Sequence, residues 1–174
     1  MSVVINGSAG VTTNSGAVYN GIASGTAVAS TSGTSIDFTS IPSWVKRITV
    51  QFQGVSTSGT SVILAQLGAG SVTTSGYLGT ASINTSATIT AAYTTGFGLS
   101  QQNAATDIQH GTYVFTNLSG NSWVCIVNMS ESSRPATSQG AGSITLGGTL
   151  DRVRITTVNG TDTFDAGSIN ILYE

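Results

Sequence analysis

The chain has 174 residues and a formal charge of −2, and only 7% of its residues are charged, against roughly 25% in an average soluble domain. Glycine, serine and threonine make up about two-fifths of it, hydrophobic residues 39%, and there are two prolines and one cysteine. These figures exclude a nucleic-acid binder that works by phosphate neutralisation, a disulfide framework or cysteine-based zinc module, and a charge-extended disordered chain.

No membrane insertion is expected. The opening Met1-Ser-Val-Val-Ile-Asn-Gly has no basic start, and the longest central apolar run, Val62-Ile-Leu-Ala65, is far short of the ~20 residues that span a bilayer. Residues 1–25 carry no charge and scatter single apolar residues among Gly, Ser, Thr, Asn and Ala. They read as an extended arm that cannot bury enough surface alone but could add strands to a partner; a disordered tail is the plainer alternative.

From residue 26 onward strand signals dominate and helix formers are sparse. Trp44 to Gln53 sets Trp44, Ile48, Val50 and Phe52 on one face. Trp123 to Met129 is apolar on both faces and predicts a central strand covered on both sides. Arg152 to Val158 alternates Val153 and Ile155 against Arg152 and Arg154. Ser168 to Tyr173 groups Ile169, Ile171 and Tyr173. Weaker strands fall at Ser35–Phe38, Ser61–Leu67, Tyr77–Ile83, Ala87–Ala91, Thr112–Leu118 and Ser143–Leu146, with turns at Asn117…Gly120 and Asn159-Gly160. The expected fold is all-β: an antiparallel β-sandwich or jelly-roll-like domain over 26–174, behind the arm.

Three stretches carry a family resemblance. They are Gly25-Thr-Ala-Val-Ala-Ser; Ile36-Asp-Phe-Thr-Ser-Ile-Pro-Ser-Trp-Val-Lys-Arg-Ile-Thr-Val-Gln-Phe with the following Gly54-Val-Ser-Thr-Ser-Gly-Thr-Ser; and the ending from Gly148-Thr-Leu-Asp-Arg to Ile-Leu-Tyr-Glu174. Together with Gly96-Phe-Gly-Leu and Gly120-Asn-Ser-Trp-Val-Cys, they resemble the C-terminal module of tailed-bacteriophage tail fibres. The resemblance implies a non-enzymatic virion protein with a β-sandwich fold, assembled as a homotrimer. It would attach through residues 1–25 to other tail, baseplate or capsid proteins and contact a host surface polysaccharide. Capsid decoration is the alternative, and a polysaccharide depolymerase a weaker one.

Few residues could carry chemistry. Asp162 and Asp165 lack the alternate spacing and closing Glu of a calcium loop, so a solvated turn is expected. His110 has no second imidazole for a metal and no Gly-x-Ser-x-Gly elbow for hydrolysis. No pair of acids is singled out for glycoside cleavage. No catalytic residue, metal or cofactor is therefore expected. Cys125 lies in the most apolar strand and reads as a buried small hydrophobe. Tyr77, Tyr93, Phe97, His110 and Tyr113, set among amides and hydroxyls, are the candidate receptor contacts, with core as the competing reading of the aromatics. Asp151, Arg152 and Arg154 are candidate inter-subunit contacts; the two arginines share one strand face. The Asn-x-Ser/Thr triplets, as at Asn84 and Asn128, match chance in so Ser- and Thr-rich a chain.

Overall fold

A computed structural model of the chain describes residues 21–99, 102 and 104–174, and the backbone of three short strands before them. Those strands, β1 (Val4–Asn6), β2 (Gly10–Thr12) and β3 (Val18–Tyr19), form a small antiparallel sheet of their own. They lie within the stretch expected as an extended arm over residues 1–25. The rest of it, residues 1–3, 7–9, 13–17 and 20, lies outside the described residues. The arm's last residues belong with the sandwich instead: β4 (Ala23–Ser24) pairs with Leu172 and Tyr173, and Gly25 N–H donates to Ile171 O at 2.7 Å.

Every regular element among the described residues is a strand, and two further antiparallel sheets pack as a sandwich. The larger has the order β11-β10-β15-β14-β13-β7-β17-β4, with β5 (Val28–Ala29) also on β17. Its members are β7 (Arg47–Thr57), β10 (Leu78–Asn84), β11 (Thr88–Tyr93), β13 (Gln109–Ser119), β14 (Ser122–Glu131), β15 (Ala136–Thr145) and β17 (Phe164–Tyr173). The smaller has the order β12-β8-β16-β6, from β12 (Phe97–Gly98), β8 (Ile63–Ala69), β16 (Arg152–Thr157) and β6 (Ser35–Thr39), with β9 (Ser71–Val72) on β8.

Alternation builds the core. Ile48, Val50 and Phe52 of β7, Tyr113 and Phe115 of β13, and Trp123, Cys125, Val127 and Met129 of β14 face inward from the large sheet. Ile63, Ala65 and Leu67 of β8 and Val153 and Ile155 of β16 meet them in one hydrophobic cluster. Each of the larger aliphatic and aromatic side chains among them contributes roughly 1.5–3 kcal/mol of burial, which offsets the ordering cost of its residue.

Two expectations fail at identifiable points. Trp44 is 49% exposed and meets the ring of Tyr173, centroids 6.1 Å apart. It sits in a turn closed by Val45 N–H to Pro42 O, so the strand's alternation starts only at Arg47, and Val45 takes the buried place near Trp44. Among the described residues, β14 is covered on one side only: the small sheet lies against the Cys125 side, and its outward Ile126 is 61% exposed. The first half of β15, Ala136-Thr-Ser-Gln-Gly-Ala-Gly, carries no strand-like hydrophobic pattern and pairs on both edges all the same.

Glycine is required where β7 and β17 bulge together. Gly54 and Gly167 face each other at φ 66° and 88°, and a Cβ on Gly167 would lie 2.4 Å from Gly54 O.

Candidate functional surface

The proposed receptor residues do not form one site. Tyr77, Phe97 and Tyr113 are fully buried, which corrects their reading as surface contacts. Tyr77 packs edge-on against Phe97 at 5.0 Å, Phe97 meets Phe115 at 5.8 Å, and Tyr113 meets Phe52 at 5.2 Å. The Tyr77 hydroxyl accepts from Leu67 N–H at 2.8 Å and donates to Thr73 O at 3.0 Å, so it ties β8 to the loop before β10. Burial pushes its phenol up to about 12 and lifts Tyr113 as well. Tyr93 is half-buried; its hydroxyl donates to Leu99 O and its ring lies over Gly98. His110 is half-buried at the opposite end of the large sheet. Its strand register runs through Ser130, Thr137 and Asn84 to Thr88, five residues or ~17 Å along β11 from Tyr93.

His110 contacts a serine, but in the wrong sense for a nucleophile. Nδ1 accepts Gly54 N–H at 3.2 Å, which leaves the neutral ring's proton on Nε2, 3.1 Å from Ser132 Oγ. A catalytic base must instead accept the serine proton at Nε2 while an acid holds Nδ1–H. The histidine here joins the β7 bulge to the β14–β15 turn.

The charged candidates are matched within the chain. Asp151 takes two hydrogen bonds from Arg152, at 2.8 and 3.2 Å, and the guanidinium holds its carboxyl below the ordinary value. Arg154 donates twice to Asp37 of β6, both at 2.7 Å, an arrangement that raises the arginine further. Both pairs lie on the small sheet. Asp162 holds a turn, as expected: it accepts Ser61 N–H at 2.9 Å and Asn159 Nδ2 at 2.7 Å.

Sequence reasoning missed the cluster of Asp107, Glu131 and Arg134. Asp107 and Glu131 are 4% and 7% exposed. Arg134 lies between them, 3.7 Å from Asp107 Oδ2 and paired with both Glu131 oxygens. Gln109, opposite Glu131 in the register, is buried with neither amide atom hydrogen-bonded. The three charges are spread over 28 positions of sequence, with no spacing motif to reveal them. One guanidinium already answers both carboxylates, so the acids serve as a buried tie between the loop before β13 and the β14–β15 turn.

The broadest feature is the outward face of the large sheet. Its strand register aligns side chains into cross-strand rows. One row runs Thr49, Val114, Ile126, Ala141, Thr80, Ala92; the next runs Gln51, Thr112, Asn128, Gln139, Ser82, Thr90. None of the chain's Asp, Glu, Lys or Arg residues lies in these rows; Arg47, paired with Glu174 at 3.0 Å, marks one corner. Ala141 and Gly140 of β15 line an open trough of about 660 Å³ beside Ile126, with Asn128 and Thr90. It continues past Ala141 toward Tyr93.

No family model, no curated protein and no solved structure matches the chain.

Proposed function

We propose that the chain is a bacteriophage virion structural protein, a short tail fibre or fibre-like component. It assembles as a homotrimer, attaches through residues 1–25 to another virion protein, and contacts a neutral host surface polysaccharide. The observation that carries this reading is the resemblance of residues 26–174 to tail-fibre modules, above all the ending from Gly148 to Glu174. The antiparallel sandwich agrees with it, as does a surface short of charge. With Tyr77, Phe97 and Tyr113 in the core, a saccharide contact falls to exposed hydroxyls and amides, with Tyr93 and His110 the remaining candidates of the original set.

Labelled antibody on intact particles tests the placement: signal at the tail tip supports the reading. Signal over the whole shell, with hundreds of copies by densitometry, replaces it with capsid decoration. Absence from particles overturns both. Binding of the purified chain to host envelope polysaccharide on a glycan array tests the receptor part, and release of new reducing ends from that polysaccharide would show a depolymerase instead.

A further inference from the structure

We infer that a polar groove on the outer face of the small sheet is where this chain takes a neutral saccharide; the inference rests on the receptor reading above and gives the saccharide a site. Alternation builds the groove. Ile63, Ala65 and Leu67 of β8 and Val153 and Ile155 of β16 point into the core, so Leu64, Gln66, Arg154 and Thr156 turn to the opposite side. There they line a groove of about 350 Å³, within the roughly 300–1,000 Å³ of small-ligand sites. The hydroxyls of Thr34, Ser35, Thr74 and Thr95 also line it, and none has a hydrogen-bond partner among the described residues. Each can donate one proton and accept others, which suits a ligand that is itself a ring of hydroxyls. Arg154 gives Nε–H and an Nη2–H to Asp37, both at 2.7 Å, and keeps its Nη1 hydrogens for a ligand. Val158, 49% exposed, adds an apolar surface for the C–H face of a sugar ring.

The groove is set before a ligand arrives. Gln66 Nε2 donates to Thr95 O, Thr156 Oγ1 to Thr34 O and Thr157 Oγ1 to Asn159 Oδ1, each at 2.8 Å. Little ordering then opposes binding. The charges around it select a neutral ligand. Asp37 already answers Arg154, Asp151 answers Arg152 further along the strand, and Asp162 stands behind Asn159, accepting from its Nδ2 at 2.7 Å. An anionic glycan would meet three carboxylates against two guanidiniums that are already paired. The contact therefore falls on the sheet opposite to Tyr93 and His110.

Titration of the full, isotope-labelled chain with neutral oligosaccharides of glucose, galactose, mannose and N-acetylglucosamine tests the site, with sialyllactose as the anionic control. The side-chain amide resonances of Gln66 and Asn159 should shift with at least one neutral oligosaccharide, and that of Gln139, on the large sheet, should stay in place. Arg154→Gln should weaken the binding about tenfold or more, because it removes a charged donor. Thr95→Val keeps the shape and removes one hydroxyl. It should weaken binding about threefold with an unchanged melting profile, and so decides the matter if Arg154→Gln fails to fold. No shift at Gln66 or Asn159 with any of these sugars overturns the groove, as does binding that neither substitution weakens or that moves Gln139 instead. A chain that still binds host envelope polysaccharide on the array then keeps its receptor role at another surface, and one that does not loses that role as well. Sialyllactose binding in the groove more tightly than every neutral sugar overturns the ligand class.

Discussion

Phe115 and Trp44 show how far burial, and not residue type, decides what a ring does here. Phe115 is wholly enclosed, with Phe97 and Tyr113 as ring neighbours. Phe115→Ala should cost about 3–5 kcal/mol, since it loses the transfer energy and leaves a cavity. Trp44→Ala, at a half-exposed ring with one aromatic neighbour, should cost only about 1 kcal/mol, and urea unfolding of the two variants gives the comparison. Cys125 is the corresponding case in chemistry. Burial pushes its thiol well up, so at pH 8 a thiol reagent should label the native chain far more slowly than the unfolded one. Rapid native labelling would mean that β14 opens locally.

At the level of elements, two kinds of ion pair invite opposite outcomes. Arg154 and Asp37 join β16 to β6 on the surface, with side chains 37% and 36% exposed, and Arg154→Gln should cost less than about 1 kcal/mol. Arg134 answers two carboxylates whose side chains are 5% and 3% exposed. Removing it strands both, so Arg134→Gln should cost about 3–5 kcal/mol by the same unfolding measurement. The β7–β17 bulge makes a third test. Gly167→Ala forces a side chain into a left-handed backbone and against Gly54, and should lower the melting temperature more than Gly70→Ala, which strains the same backbone region in open space. Most of these strands were legible from alternation: β6, β7, β8, β10, β11, β13, β14, β16 and β17 all overlap segments that the pattern marks. The first half of β15 was not legible. It lies between β10 and β14, and its pairing is supplied by them and not by its own Gly, Ser and Gln side chains.

The whole molecule should fail in alkali before it fails in acid. Tyr77 and Tyr93 are pushed up to about 12, and Tyr113 and Cys125 are also raised, in each case chiefly by burial. The folded form therefore keeps protons that the unfolded chain releases. Their stabilising effect is fully present below the unfolded values, about 8.5 for the thiol and about 10 for the phenols, and is lost as pH rises toward the folded ones. Unfolding free energy should fall steeply above pH 10, with phenolate absorbance appearing together with loss of structure. On the acid side Asp151 is held low, mainly by its hydrogen bond from Arg152, so its contribution is present above the unfolded carboxylate value and lost as pH falls through the folded one. That pair is exposed, and the acid loss it causes should be slight.

The sequence by itself determined the all-β class, the phase of most strands and the turn at Asn159-Gly160, because alternation and turn chemistry act between neighbours in the chain. Tertiary structure alone decided which large apolar side chains stay at the surface, because exposure depends on what the facing sheet covers: Tyr77 and Tyr113 go in, Trp44 and Ile126 stay out. It also gathered Asp107, Glu131 and Arg134, and it aligned uncharged positions from six strands into one face. A low overall charge says nothing of where the charges are absent. Only the pairing of strands far apart in sequence places that absence on a single broad surface.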